Sequence, residues 1–402
     1  MRADNPDLVT VVGIGAGGWS DLGRTGRSTV AEAEVIFGSC RQLDLLPADV
    51  VGERIPWPSP LLPALPGLLD EHRGRRICVL ASGDPMFHGI GATLVRLLGP
   101  EGVRIDPHPS AASLAAARMG WPLADTDVLS LVTADPAALR RLINPGRRIL
   151  VLARDAGTPA QVAAVLTAAG FGAAGLSVLE QLGGPGERRV DGTAAGWSAQ
   201  VDPLNVIAVD CGDGPAVPVV PGLPDDAYES DGQLTKREVR AVTLAMLAPA
   251  PGALLWDVGG GSGSIGIEWM RSHPACRAIT IEPDPARCAT IRANARTLGV
   301  PALRVVEGRA PAALTGLPTP DTIFIGGGLT RDGVLDACLA ALRPGGRLVA
   351  NAVTVESEAA VAAAYAKLGG ELVRLSVSRG SPVGGFTGWR TMMPVTIWSV
   401  TP

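Results

Sequence analysis

Residues Leu254–Gly266, Leu-Leu-Trp-Asp-Val-Gly-Gly-Gly-Ser-Gly-Ser-Ile-Gly, run an apolar strand straight into a glycine-rich turn, and the next strand, Ala278-Ile-Thr-Ile-Glu, ends on Glu282. Gly259, Gly261 and Gly263 let the backbone pass close beneath a nucleoside and open a helix whose unpaired N–H groups face the ligand. Asp257 stands two residues before the first glycine, where a dinucleotide fold keeps its strand apolar. A carboxylate there suits a cationic amino-acid group. Glu282 can accept both ribose hydroxyls. Together these residues point to S-adenosylmethionine. Gly261-x-Gly263-x-x-Gly266 also satisfies a nicotinamide pattern, and glycines can serve tight turns alone, so the remainder of the chain has to decide.

Beyond Glu282 the chain reads as a helix over 285–298, strands over 303–307 and 322–325, a helix over 333–342, then Arg343-Pro-Gly-Gly before another apolar strand. Short β-rich runs alternating with helical lengths predict a parallel, doubly wound α/β sheet. Gly308 and Gly326 close two of its strands at the edge where ligands collect, and are candidate cofactor contacts.

The chain has 402 residues, 47% of them hydrophobic, which predicts two or three domains with ample cores. A formal charge of -4 leaves no basic footprint for nucleic acid. Cys40, Cys78, Cys211, Cys276, Cys288 and Cys338 are scattered, as are His72, His88, His108 and His273, so local spacing assembles no metal site and the thiols are expected to be small and buried. The start, Met1-Arg-Ala-Asp-Asn-Pro, is polar, and no apolar run approaches the roughly 20 residues a membrane helix needs, so no membrane partner and a cytoplasmic location are expected.

Between Val209 and Thr235 the chain is dense in proline, glycine and acid, and 213–230 reads as a linker. It separates a domain over 1–212, with subdomains over about 1–107 and 108–212, from one over 231–402. Thr235 is the expected N-cap of a helix over 236–247, with Glu238 as its capping-box partner. The first domain opens with strand 8–12 followed by Gly13-x-Gly15-x-Gly17, yet the next strand, 34–37, ends without a carboxylate to hold a ribose. Its third predicted strand, 76–81, runs into Ser82-Gly83-Asp84-Pro85, an exposed turning lip where backbone can meet ligand. Pro109-Ser110-Ala111-Ala112-Ser113 then leads into a helix, and α/β alternation restarts, including a helix over 136–142.

These three segments resemble the signatures of the tetrapyrrole methylases of corrin biosynthesis, and Leu179–Arg188 is similar to a further segment of that family. The second half, with Thr235–Arg240, the turn 257–263 and Asn351-Ala-Val-Thr-Val-Glu356, resembles the decarboxylating precorrin methyltransferases, whose fold is Rossmann-like. The resemblance covers the chain except the linker. It implies an N-terminal tetrapyrrole-methylase fold, two α/β subdomains with a cleft, fused to a Rossmann-like methyltransferase. It also implies two S-adenosylmethionine sites, a precorrin substrate methylated at carbons 5 and 15 with loss of carbon dioxide from the ring C acetate, and a homo-oligomer associating through the C-terminal domain. Pro109-Ser-Ala-Ala-Ser departs from relatives, which often carry a second hydroxyl after the first small residue.

On that reading Gly83, Asp84, Pro85, Ser110 and Ala111 are the cofactor candidates of the first cleft, with Gly13, Gly15 and Gly17 against substrate. Asp257, Gly259, Gly261, Gly263, Glu282, Gly308 and Gly326 serve the second. A carboxylate-rich substrate needs bidentate cations, and Arg237, Arg331, Arg379 and Arg390 are candidates beside the catalytic candidates Lys236, Arg240 and Asn351. Transfer from a sulfonium needs alignment rather than an enzyme nucleophile. Competing readings are methylation of another small molecule or RNA by the second domain alone, and a first domain that only binds macrocycle.

Overall fold

The computed structural model describes residues 8–402. The polar start, residues 1–6, lies outside them. Two compact units emerge, the first ending at Pro215 and the second beginning at Ala216, with Ala137–Arg141 grouped with the second.

In the first unit, β1 (Val9–Ile14), β2 (Val35–Gly38), β3 (Glu53–Pro56), β4 (Ile77–Ser82) and β5 (Val103–Asp106) form a parallel sheet ordered β3-β2-β4-β1-β5. Val9, Val11, Val12 and Ile14 are all buried, as a strand covered on both faces requires. Sequence periodicity does not disclose β3: Glu53-Arg-Ile-Pro is a partly exposed edge strand. The register sets Ile14 beside Ser82, so the loops after β1 and β4 emerge side by side. A second, mixed sheet holds β6 (Asp127–Ser130), β7 (Arg148–Leu152), β8 (Gly175–Glu180), β9 (Arg188–Thr193) and β10 (Asn205–Asp210) in the order β6-β7-β10-β8-β9. The helix expected over 136–142 is a 3-10 helix, Pro136–Arg141.

In the second unit, β11 (Leu254–Val258), β12 (Arg277–Glu282), β13 (Arg304–Glu307), β14 (Thr322–Ile325) and β15 (Arg347–Ala352) are parallel, as expected from the alternation. Two further strands, β16 (Glu371–Leu375) and β19 (Val395–Val400), complete the order β13-β12-β11-β14-β15-β19-β16, with β19 antiparallel to both its neighbours. Successive strand residues feed opposite cores: Leu255 and Ile397 pack on one face, Trp256 and Trp398 on the other. The glycine-rich tail is an antiparallel hairpin, β17 (Ser378–Val383) with β18 (Phe386–Thr391). Five of the six thiols are buried; Cys40 is exposed, contrary to expectation. Among the described residues no helix is long and apolar enough to cross a membrane.

Two expectations fail around residue 225. The segment 213–230 is not free linker: Leu223 and Tyr228 are buried in the core of the second unit, and the Gly222 and Leu223 amides donate to the buried Glu268 carboxylate at 2.6 and 3.1 Å. Its polar composition hid a strap whose backbone a core acid recruits. Nor does Thr235 cap the following helix, which spans Arg237–Leu247 with Lys236 as its N-cap and no side-chain cap. Asp225 takes the first helical amide instead, at 2.9 Å from Arg237 N.

Candidate active site

The second unit gathers its site at the carboxyl ends of β11, β12, β14 and β15. Gly259 and Gly263 have φ of +81° and +79°, and a Cβ at Gly259 would stand 2.6 Å from Gly327 N, so the turn needs both the left-handed backbone and the missing side chain. Helix Ser264–Ser272 opens on Gly263, which offers no side-chain cap, and of its first-turn amides that of Gly266 goes to Asp257. Asp257 is 1% exposed. Its Oδ2 accepts from Gly266 N at 3.1 Å and Thr280 Oγ1 at 3.2 Å, yet burial outweighs these bonds and raises its pKa to about 7. Glu282 Oε2 accepts from Gly261 N at 2.9 Å and Oε1 from Asp284 N at 3.1 Å, which fixes the carboxylate before any ligand arrives.

A cavity of about 1100 Å³ joins these groups. Lys236, Asp257, Gly259, Gly261, Glu282, Gly308, Gly326, Arg331, Asn351, Arg379 and Arg390 all line it. Gly263 does not line it; it sits behind the turn, where a Cβ would stand 2.7 Å from Ile291 Cγ2. Arg379 is held by Glu238 at 2.5 Å and Asp225 at 3.0 Å, whereas its cross-strand partner Arg390 has no carboxylate partner among the described residues.

Arg240 and Arg237 depart from expectation. The Arg240 side chain is wholly buried, bonded to Glu268 at 2.6 Å, to Asp225 at 3.4 Å and to the carbonyls of Thr235 and Leu223, with its guanidinium over the Tyr228 ring. It is therefore a structural tie rather than a catalytic group. Its neighbour Arg237 does not line the cavity. Sequence reasoning missed Thr243, a fully buried threonine that receives Asn351 Nδ2 at 3.0 Å. No local pattern marks a residue that acts from a helix onto a strand far along the chain.

The first unit offers a narrower crevice, about 90 Å³, bounded by the β1 and β4 loops and by Leu114, Leu179, Leu182 and Val206. Gly15, Gly83 and Ala111 reach it; Gly13, Gly17, Asp84, Pro85 and Ser110 do not. Packing explains the difference. A Cβ on Gly13 would lie 2.2 Å from Gly83 O, and one on Gly17 would strike the Asp21 carboxylate. Asp84 Oδ1 accepts from Met86 N at 2.8 Å within its own turn, while Ser110 caps helix Ala111–Met119 through Ser113 N at 3.0 Å. The crevice, about 90 Å³, is small beside the roughly 300–1,000 Å³ of most small-molecule sites.

Residues 8–196 match the model for tetrapyrrole (corrin/porphyrin) methylases and residues 226–402 that for a precorrin methyltransferase domain. A precorrin-6Y C(5,15)-methyltransferase [decarboxylating] from Mycobacterium tuberculosis (strain ATCC 25618 / H37Rv) is 52% identical over 399 residues, 98% of this chain and 100% of the relative. The chain belongs to the precorrin-6Y C(5,15)-methyltransferase (decarboxylating) family. A second precorrin-6Y C(5,15)-methyltransferase, from Sinorhizobium sp, is 48% identical over 98% of this chain and 96% of its own length. A probable cobalt-precorrin-6B C(15)-methyltransferase (decarboxylating) from Pyrobaculum calidifontis is 36% identical over 185 residues, 44% of this chain and 94% of the relative. For a precorrin-6Y methyltransferase the large cavity has suitable chemistry: two oriented carboxylates at one end, and Lys236, Arg331 and Arg390 at hand for an acidic macrocycle.

Proposed function

We propose that the chain methylates precorrin-6Y at carbons 5 and 15 and releases one carboxyl group as carbon dioxide, drawing on S-adenosylmethionine at two separate sites. The observation that carries this reading is the Asp257 and Glu282 pair, buried, oriented by backbone amides, and opening on a cavity of about 1100 Å³. Its size and donor set fit a nucleoside with an amino-acid end.

Bound there, the donor supplies an electrophilic methyl group on a sulfonium. Asp257 accepts from the ammonium and Glu282 from the ribose hydroxyls. The Gly259–Gly261 backbone passes beneath the nucleoside, and Val239, Ile265 and Phe324 add apolar surface to the cavity wall. Lys236, Arg331 and Arg390 hold carboxylate arms so that the macrocycle carbon lies in line with the methyl group. Asn351 faces the substrate with its amide fixed by Thr243. When carbon dioxide leaves, its bonding electrons enter the conjugated macrocycle, which then takes up a proton.

Full-length protein should bind two equivalents of S-adenosylhomocysteine by calorimetry. Mass spectrometry of product made with labelled donor should show two labels gained and one carbon dioxide lost. A single bound equivalent, or a singly methylated end product, would overturn the two-site reading.

A further inference from the structure

Among the residues bounding the first crevice, Arg41 carries the one charged side chain. It stands on the short helix Cys40–Asp44, whose start is fixed by reciprocal hydrogen bonds between Ser39 and Gln42. From there Arg41 Nη2 donates to Ser82 Oγ at 3.0 Å, and Gln42 Nε2 donates to the same oxygen at 3.1 Å. That leaves most of the guanidinium's N–H donors without a partner among the described residues, and no carboxylate forms an ion pair with it. Other arginines of this unit are matched to acids: Arg118 to Glu187, Arg147 to Asp127, Arg188 to Glu180. Asp202 lies near enough to favour the charge, but its Oδ1 is taken up by Gln181 Nε2 at 3.0 Å and Leu204 N at 2.7 Å. Burial works against the cation and lowers its pKa.

Asn205, another residue of the same lining, supplies an independent observation. It is 7% exposed, and its Nδ2 donates to the Asp202 carbonyl at 2.7 Å, which sets the orientation of the amide. Its Oδ1 is buried without a partner. The crevice thus combines apolar side chains, a cation lacking an anion and an acceptor lacking a donor. Unmatched polar groups of this kind are costly unless a ligand completes them.

We propose that Arg41 is the carboxylate-binding residue of the first crevice, with Asn205 Oδ1 receiving an N–H or O–H of the same ligand. A carboxylate arm of the macrocycle and the amino-acid end of the methyl donor share this chemistry. The assignment rests on the reading of the first unit as a methyl-transfer unit.

The test uses full-length Arg41→Gln, Arg41→Lys and, as a control outside the crevice, Arg147→Gln. KM for the precorrin is read for each methyl transfer by mass spectrometry, and S-adenosylhomocysteine affinity by calorimetry. If the carboxylate belongs to the macrocycle, Arg41→Gln raises the precorrin KM of one transfer at least tenfold and leaves S-adenosylhomocysteine binding unchanged. If it belongs to the donor, one of two S-adenosylhomocysteine equivalents weakens at least tenfold and the precorrin KM holds. Arg41→Lys should recover part of either loss. Arg147→Gln, which removes an exposed guanidinium paired with Asp127 outside the crevice, should stay within about threefold of wild type. Melting curves of the three variants separate lost binding from lost folding. Both parameters within twofold of wild type in Arg41→Gln would overturn the proposal. A failure of the two-site reading would show separately, as one bound equivalent in the unaltered protein.

Discussion

Asn351 Nδ2 donates to Thr243 Oγ1 at 3.0 Å, joining the end of β15 to helix Arg237–Leu247 across 108 positions of sequence. Thr243 is fully buried whereas Asn351 reaches the cavity, so the threonine orients a cavity-lining amide from behind. Thr243→Val should lower kcat of the decarboxylating transfer about tenfold with little change in KM, and Thr243→Ser should restore it. Steady-state kinetics of the three proteins checks this, since a purely structural role would alter the melting point without splitting kcat from KM.

Asp257 gives the site a pH dependence of definite sign. Its folded pKa is raised from 3.8 to about 7, chiefly by burial. Between those values the folded chain holds a proton that the unfolded chain has lost, so stability from this group falls as pH rises through the window and levels off above about 7. On the role proposed for Asp257, donor binding uses the ionised form and should strengthen over the same range. Asp257→Asn should flatten both trends and weaken S-adenosylhomocysteine about 10–100-fold at pH 8. Melting curves and calorimetry from pH 5 to 8 provide the measurement.

The role proposed for Glu282 is with the ribose. With both its oxygens oriented by the amides of Gly261 and Asp284, Glu282→Gln should weaken adenosine as well as S-adenosylhomocysteine by about tenfold. Asp257→Asn should leave adenosine within about twofold, because adenosine lacks the amino-acid group. Competition binding with adenosine distinguishes the two carboxylates.

Arg240 belongs to stability. Arg240→Met would leave Glu268, 2% exposed, without its cation and should destabilise the second unit by about 3–5 kcal/mol. S-adenosylhomocysteine affinity of the folded protein should change by less than threefold. Urea denaturation combined with calorimetry tests both statements.

Much of the second site can be read along the chain, because a strand, a glycine turn and an acid at the next strand end are local patterns. Asp257 and Glu282 fall where parallel register must place them. Arg240 misleads for a physical reason: charge on a helix next to a candidate site looks the same in sequence whether it faces ligand or a buried acid from another helix. In the first unit the glycine signatures locate the crevice, but several glycines there satisfy backbone packing, as the Gly13 contact with Gly83 shows. Arg41 carries no motif. The hairpin 378–391 is legible in principle, since Gly384-Gly385 between two short runs is a hairpin signal, yet its glycine content gives it the look of an unstructured tail.

The strap bonded to Glu268 also bears on how this enzyme can be divided. A C-terminal fragment started at residue 226, where the family match begins, would discard the Gly222 and Leu223 amides together with Asp225. An acid deep in the core would then lose two donors and Arg240 one of its anions. A separately expressed half must therefore start before Gly222, and insolubility of a shorter piece would report this severed anchorage rather than any dependence of one activity on the other.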